Sequence, residues 1–134
     1  MRQNLTTRPK HGPEWHIQKR LKAFLATRNW LVQQTHGNLY QKGFPDLFIA
    51  HRKWGFRWID CKVDGHYSFT KAQQKCWPLW DSYGIGIWIL VEANQTEYDK
   101  LFAPPNWRDY WKESYGKPDI DALLEAVNAE AEEA

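Results

Sequence analysis

Apolar residues between positions 13 and 28 recur at the spacing of an α-helix. One stripe follows the 3.6-residue period: Ile17, Leu21, Phe24 and Leu25. Pro13 suits the first helical position, because an N–H at that point would have no partner in the helix. Glu14 falls on the same stripe, and a carboxylate on a core-facing stripe needs a partner. An alternative account of Glu14 is the favourable interaction of an acid with a helix N-terminus.

Three later segments predict β-strands: Trp30–Thr35, Leu47–His51 and Arg57–Val63. The last two are separated only by the short polar, glycine-containing stretch Arg52–Phe56, which predicts a β-hairpin. Residues 36–43 form the loop that leads into this hairpin.

The alternation of side chains in the hairpin separates charged from apolar residues. If the turn centres on Trp54, Asp46 lies opposite Lys62. Phe48 then lies opposite Asp60, and Asp46, Asp60 and Lys62 share one face. The other face is apolar: Leu47, Ile49, Ile59, Cys61 and Val63.

A second helix follows the hairpin. Thr70 and Gln73 match a capping box, in which Thr70 caps the helix and Gln73 reaches back to it. Apolar positions keep helical spacing: Ala72, Cys76, Leu79, Trp80 and Tyr83. Pro78 removes one backbone donor and should kink the helix or end it early. The almost entirely apolar run Ile85–Val91 predicts a strand buried on both faces.

The order of the predicted elements indicates an α/β fold of three layers, a mixed sheet flanked by helices. Beyond Glu92 the pattern weakens to a break at 103–106, a short aromatic helix over 107–111 and an acidic helix over 119–133 with a frayed end. We expect one domain with a flexible basic head (1–11), a core (12–92) and a C-terminal aromatic and acidic helical extension (93–134).

Composition restricts the class of protein. The chain has 134 residues, no run of about 18 apolar residues and a polar start without the apolar segment of a secretory signal. These features predict a soluble protein of the cytoplasm that does not associate with membranes. Cys61 and Cys76 lack zinc-ligand spacing and are expected to be buried free thiols.

Charge is distributed unevenly along the chain. Residues 1–75 hold 14 Lys and Arg against 4 acidic residues, whereas residues 76–134 hold 4 against 12. A basic surface around an acidic pocket suits a polyanion whose phosphate must reach a metal. Alternatively, the basic and acidic halves neutralise each other within the fold.

The charged face of the hairpin predicts a metal site. Asp46 and Asp60 on neighbouring strands would repel each other unless a cation lay between them. Carboxylate oxygens are ligands that Mg²⁺ and Mn²⁺ prefer, and Lys62 stands beside them. Such a site can hydrolyse phosphodiesters, since the cation polarises the phosphate and acidifies a water molecule.

These residues resemble the motifs of the PD-(D/E)XK nuclease superfamily, in which a Pro-Asp pair begins one strand and an acidic-x-Lys motif lies on the next. Here the motifs are Pro45-Asp46 and Asp60-Cys61-Lys62. Four further residues match the virus-type replication-repair nucleases and the related Holliday junction resolvases: Gly43, Glu14, Gln73 and Trp77. The resemblance covers about residues 14–91 and implies a restriction-endonuclease-like core.

The resemblance also implies a role for each site residue. Asp46, Asp60, the backbone carbonyl of Cys61 and Glu14 would hold Mg²⁺, with Mn²⁺ as a substitute. Lys62 would hold or activate the attacking water, and Gln73 would orient Lys62 or the phosphate, although the capping box is a competing explanation for Gln73. The family usually has Glu where this chain has the shorter Asp60.

Basic and hydroxyl side chains around these motifs are candidate nucleic-acid contacts: Ser68, Thr70, Lys71, Lys42, Arg52 and Lys53. His66 could also contact phosphate or protonate the leaving group, but a solvated loop histidine is the favoured interpretation. Trp54 is expected to be exposed at the hairpin tip.

The function predicted from these observations is a metal-dependent endonuclease that cuts branched DNA, as a Holliday junction resolvase does in recombination and repair. Two symmetric cuts require two sites, which predicts a homodimer. Interface candidates, which could also pack on their own chain, are Trp107, Tyr110, Trp111 and Leu123. The resemblance points to a bacterial, archaeal or phage-infected cell. Alternatives are a homing or restriction endonuclease, a non-catalytic nucleic-acid-binding module and a structural protein acting through its acidic helix.

Overall fold

A computed structural model describes residues 11–35 and 42–133. The basic head, apart from His11, most of the loop before the hairpin and Ala134 lie outside the described residues. Four α-helices and four strands are present in the described part: α1 (Pro13–Ala26), β1 (Leu31–Gln34), β2 (Leu47–His51), β3 (Gly55–Cys61), α2 (Lys71–Ser82), β4 (Ile87–Leu90), α3 (Gln95–Asp99) and α4 (Ile120–Glu133). Three 3₁₀ turns lie between α3 and α4: Lys100–Phe102, Trp107–Tyr110 and Glu113–Tyr115.

The strands form one open mixed sheet in the order β1-β2-β3-β4. The pairs β1–β2 and β2–β3 are antiparallel, whereas β3–β4 is parallel, and α2 provides the crossover between these two strands. The predicted α/β class with a mixed sheet is therefore confirmed. The restriction-endonuclease-like identity of the core stays a prediction.

The hairpin register differs from the predicted one by two residues. Leu47 pairs with Ile59 and His51 pairs with Gly55, so the turn centres on Lys53 instead of Trp54. Gly55 has a φ of +88°, and such a left-handed residue is typical of the end of a three-residue hairpin loop. Continued beyond the strand, this register sets Asp46 opposite Asp60, and the predicted pairing of Asp46 with Lys62 is wrong. An even shift leaves the division between faces unchanged.

Both faces of the sheet are covered by core. On one face, the buried α1 residues Ile17, Leu21 and Leu25 pack with the apolar residues of the hairpin. On the other face, Trp77 of α2 packs with Ile87, Ile89 and the half-buried Trp58. The face that carries Asp60 and Lys62 is thus not a purely charged surface, because aromatic residues enclose these charges. The three-layer arrangement follows from the two helices lying on opposite faces.

Helix boundaries agree with the local signals in most places. α1 ends at Ala26, two residues earlier than predicted, and Asn29 then turns the chain with a φ of +69°. α2 begins with the predicted capping box and continues through Pro78 to Ser82, so of the two effects predicted for Pro78, a kink or an early end, the early end does not occur. Tyr83, placed on the apolar stripe by sequence, is 64% exposed.

The C-terminal extension packs onto the core. Trp107 is 3% exposed, and Tyr110 and Trp111 pack partly buried against the same cluster. Trp107 therefore packs on its own chain, the alternative left open for it, whereas a place for the half-buried Tyr110, Trp111 and Leu123 in a dimer interface stays a prediction. Trp54 is exposed, as predicted. Within the described ranges, no helix is both long and apolar enough to cross a bilayer.

Candidate metal centre

The loop that carries Asp46 is fixed by close backbone packing. Gly43 has a φ of +83°, and a Cβ at this position would lie 2.7 Å from the carbonyl oxygen of Ala72 in α2. The Gly43 carbonyl accepts a hydrogen bond from Trp77 Nε1 at 2.8 Å. On the other side, Thr35 Oγ1 donates to the carbonyl of Pro45 at 2.7 Å. Glycine is required here because any side chain would push the loop away from α2.

Three carboxylates meet at the end of the hairpin. Glu14, Asp46 and Asp60 each offer one oxygen atom, and these atoms lie within 4.8 Å of one another. Asp46 Oδ2 accepts the backbone N–H of Cys61 at 2.8 Å, and Asp60 Oδ1 accepts the backbone N–H of Asp46 at 3.2 Å. The two aspartates are therefore oriented by each other's strand, while Glu14 reaches them from the first turn of α1.

Lys62 is buried beside this cluster, with 4% of its surface exposed. Its Nζ lies 3.1 Å from Asp60 Oδ2 and donates to Gln73 Oε1 at 2.9 Å and to the Ser68 carbonyl at 3.0 Å. The rings of Phe69 and Trp77 lie 5.2 and 5.5 Å from the nitrogen. The ammonium therefore has three polar partners and two aromatic neighbours.

Gln73 performs two tasks with one oxygen atom. Its Oε1 accepts the Thr70 backbone N–H at 3.1 Å, which completes the capping box, and also accepts Lys62 Nζ at 2.9 Å. Its Nε2 makes a long contact of 3.5 Å to Asp60 Oδ1. Gln73 therefore caps the helix and contacts Lys62 at the same time, without a change of side-chain position.

The electrostatics of the carboxylates favour a compensating positive charge. Burial raises the pKa of Asp60 well above its usual value; the Asp46 charge adds to this rise and Lys62 opposes it. Burial also raises the pKa of Asp46, although the hydrogen bond from the Cys61 N–H and the charge of Lys62 act to lower it. The pKa of Glu14 rises first through burial and then through the charge of Asp46. Each negative charge is costly in the absence of further cations.

One oxygen of Asp60 lacks a hydrogen bond. Asp60 Oδ2 is buried and, among the described residues, accepts no hydrogen bond of normal geometry, although the Lys62 ammonium is 3.1 Å away as an ion pair. A buried carboxylate oxygen with spare lone pairs is well suited to bind a cation. The donor set of three carboxylates fits Mg²⁺ or Mn²⁺, and Glu14, Asp46 and Asp60 are the residues that could hold it.

A pocket of about 400 Å³ opens beside the cluster. Glu14 and Lys62 line it on one side, and its other lining residues include His66, Ser68 and Lys112. A phosphate group entering this pocket would meet Lys62 and Glu14. The pocket thus gives Glu14 and Lys62 an approach from solvent.

The sequence-predicted residues divide into those at the cluster and those away from it. The structure brings together Glu14, Asp46, Asp60, Lys62 and Gln73. Cys61 contributes its backbone N–H, the contact described above, and the ligand role of its carbonyl stays a prediction.

The two cysteines differ in burial. Burial, aided by the neighbouring acids, raises the pKa of the Cys61 thiol well above its usual value, as expected of an unreactive buried thiol. Cys76 is also a free thiol, but it is only half-buried, which corrects the expectation that both would be buried.

The predicted nucleic-acid contacts are spread over two ends of the sheet. Ser68 lines the pocket, Thr70 caps α2, and Lys71 begins that helix. Lys42 is exposed next to Gly43. Arg52 and Lys53 lie in the hairpin turn, roughly 20 Å from Asp46 if each strand residue advances about 3.3 Å. The last two side chains are therefore outside the pocket.

Several residues at the site carry no motif of their own. Gln18 lies one helical turn after Glu14 and acts to lower the pKa of Asp46, and its Oε1 accepts a hydrogen bond from Gln34 Nε2 at 3.1 Å. Thr35 fixes the Pro-Asp loop, and Lys112 and Tyr115 approach from the C-terminal extension. The four-residue spacing of Glu14 and Gln18 is a sequence signal that could have identified Gln18.

Comparisons of the chain with protein-family models, with curated proteins and with solved structures find no match. The likeness to the PD-(D/E)XK nucleases therefore depends on the motifs and on the arrangement of the residues that carry them.

Proposed function

We propose that this protein is a metal-dependent DNA endonuclease that hydrolyses phosphodiester bonds. The observation that carries the proposal is the meeting of Glu14, Asp46 and Asp60 within 4.8 Å, with the buried Lys62 beside them. Three carboxylates with raised pKa values are an unfavourable arrangement for stability alone, and such arrangements concentrate at functional sites. The buried Oδ2 of Asp60, which accepts no hydrogen bond among the described residues and has only the Lys62 ion pair, supports the same conclusion.

Glu14, Asp46 and Asp60 would hold Mg²⁺ or Mn²⁺, which supplies positive charge to polarise the phosphate and acidify water. The side chains around the cluster would position the water and the phosphate for the reaction. Lys62, fixed by Gln73 and the Ser68 carbonyl, would hold the attacking water or offset the charge that develops on the phosphate. A fixed ammonium needs little reorganisation during the reaction, which favours catalysis.

The proposed reaction consumes one water molecule per bond cut. The water oxygen attacks phosphorus, and the bond between phosphorus and one sugar oxygen breaks. One product strand then ends in a phosphate and the other in a hydroxyl. The proton released by the water and the proton gained by the leaving oxygen exchange with solvent through the open pocket.

DNA is the proposed substrate because most of the residues that line the site belong to the basic part of the chain. Residues 1–75, which contribute all three carboxylates and Lys62, hold 14 Lys and Arg. Such a surface attracts a polyanion and makes binding dependent on salt. A preference for four-way junctions and a homodimeric state complete the proposal, since each chain supplies one cluster.

Cleavage of supercoiled plasmid DNA tests the proposal. The wild type should nick it with Mg²⁺ or Mn²⁺ and should be inactive in EDTA. Asp46→Asn should abolish cleavage without breaking the Lys62–Asp60 pair, whereas Asp99→Asn, at an exposed carboxylate on α3, should have no effect. Asp60→Asn and Lys62→Met should also be inactive, but each leaves a buried charge with one partner fewer, so thermal melts must accompany them.

Full activity in EDTA or in Asp46→Asn would refute the nuclease proposal. A four-way junction compared with a linear duplex of the same sequence tests the finer part, with light scattering for the oligomeric state. Equal cleavage of both substrates by a monomer would remove the junction preference and leave a general or sequence-specific nuclease.

A further inference from the structure

The C-terminal extension contributes a lysine to the pocket beside the carboxylates. Lys112 lies between two 3₁₀ turns and lines the pocket together with Lys62, Glu14 and His66. Its Nζ donates to the Tyr67 carbonyl at 2.7 Å and lies 5.0 Å from the centre of the Tyr67 ring. An ammonium has three protons, so this hydrogen bond fixes its position and leaves two protons for a ligand.

The segment that carries Lys112 is firmly attached to the pocket loop. The Tyr115 hydroxyl accepts the Phe69 backbone N–H at 2.8 Å, and the Tyr115 ring stacks on Phe69. Trp111 packs edge-on against Phe69, and Tyr110 packs edge-on against Tyr67. Aromatic contacts on both sides of Lys112 therefore hold its backbone against the loop that also provides a partner for Lys62.

No carboxylate neutralises Lys112 within residues 11–35 and 42–133. The ion pairs found there use Arg20, Lys62, Lys100 and Arg108 as their cations. Lys112 is thus a fixed positive charge that faces a pocket and forms no ion pair with any described acidic residue. Its half of the chain is strongly acidic, with 12 acidic residues against 4 Lys and Arg, Lys112 included, over positions 76–134. The Lys112 ammonium comes from this acidic segment and lines the pocket, where it can attract an anionic ligand.

We propose that Lys112 binds a backbone phosphate of the DNA strand that enters this pocket, next to the phosphate that is cut. The inference rests on the proposed nuclease function and extends it to a substrate contact outside the motif-bearing core. Lysine recognises phosphate as a point charge, so Lys112 would strengthen binding without selecting a base sequence. The C-terminal extension would then form part of the substrate site.

Salt dependence of DNA binding separates this role from a purely structural one. The logarithm of the DNA-binding constant falls linearly with the logarithm of the salt concentration. Removal of a single phosphate-binding cation makes this slope less steep by about 0.9 for duplex DNA, which corresponds to roughly eightfold weaker binding at 0.1 M salt. Binding is measured with Mg²⁺ in the Asp46→Asn background, where no cleavage is expected. Lys112→Ala should show this decrease, and Lys112→Arg should largely restore both slope and affinity because it keeps the charge.

Lys117→Ala is the matched control. Lys117 belongs to the same extension and lines a different groove, with Pro78 and Trp107, so its removal changes net charge equally without touching the pocket. An unchanged slope in Lys112→Ala, or an equal decrease in Lys117→Ala, would overturn the inference. If Lys112→Ala changes the salt dependence of DNA binding as expected but the wild type never cleaves DNA, the nuclease function is overturned and the phosphate-binding role of Lys112 stands.

Discussion

Replacement of Gln73 by alanine tests whether this side chain serves the helix end alone. Loss of the helix-end interaction should lower the free energy of unfolding by roughly 0.5–1 kcal/mol. Gln73 Oε1 also accepts the buried Lys62 ammonium at 2.9 Å. Loss of a hydrogen bond to a charged group costs about 1.5–3 kcal/mol more. We therefore expect Gln73→Ala to cost roughly 2–4 kcal/mol in total.

Thr70→Ala is the control for the same helix end. Thr70 Oγ1 accepts the Gln73 backbone N–H at 3.0 Å, and its removal breaks the other half of the capping box without touching Lys62. This variant should lose about 1 kcal/mol. Denaturant unfolding with equal slopes for all variants gives both free energies, and their difference isolates the contribution of the hydrogen bond from Lys62.

Turnover provides the second measurement. With Lys62 released, kcat at saturating DNA should fall tenfold or more in Gln73→Ala, whereas Thr70→Ala should keep nearly the wild-type kcat. The use of kcat matters because removal of a phosphate interaction at Thr70 would raise KM alone. Equal stability losses and equal kcat values for the two variants would show that Gln73 only caps its helix.

Single interactions in the structure support three further predictions. Burial raises the pKa of Asp60 in the folded state, so its contribution to stability is present below about pH 4 and is lost as pH rises through the folded pKa. In EDTA, the Tm of the wild type should therefore fall as pH rises through this range, and the Tm of Asp60→Asn should fall less. Mg²⁺ should raise the Tm of the wild type more at pH 8 than at pH 5, because the site is then ionised. Gly43→Ala should lose roughly 2–5 kcal/mol in denaturant unfolding, because φ is +83° and the new Cβ meets a carbonyl of α2; wild-type stability would contradict this close approach. Tyr115→Phe should lose about 1–3 kcal/mol by leaving the Phe69 N–H unpaired, while Tyr83→Phe, at an exposed ring, should stay within about 0.5 kcal/mol; equal losses would argue against the hydrogen bond.

The elements of the core could be predicted because their signals are local. The apolar stripe of α1, the capping box of α2 and the apolar run of β4 each lie within one element, so short-range periodicity is sufficient. Alternation in the hairpin also places Asp60 and Lys62 on one face, and this prediction holds despite the error in the turn, because a shift of two residues preserves the face. The same shift makes the predicted partner of Asp46 wrong, because the pairing of individual residues depends on the exact register.

Other predictions failed where neighbouring elements decide the outcome. Pro78 does not end α2, which is held from outside by contacts such as that between Trp77 and the Gly43 carbonyl. For Trp107 the sequence left a dimer interface and packing on its own chain open, because its local sequence does not show what covers it, and the structure places it in the core. In both cases tertiary packing outweighs a local propensity.

The sequence by itself determined the α/β class with its mixed sheet, and it supplied the residues of the candidate metal site. Only the tertiary structure decided that Glu14 meets the two aspartates, that Asp60 Oδ2 lacks a hydrogen bond among the described residues, and that Lys112 lines the same pocket. The physical reason is separation along the chain: the contact between Phe69 and Tyr115 spans 46 residues, and no periodic pattern extends over such a distance. Burial and charge compensation depend on these long-range contacts, and the chemistry of the site depends on both.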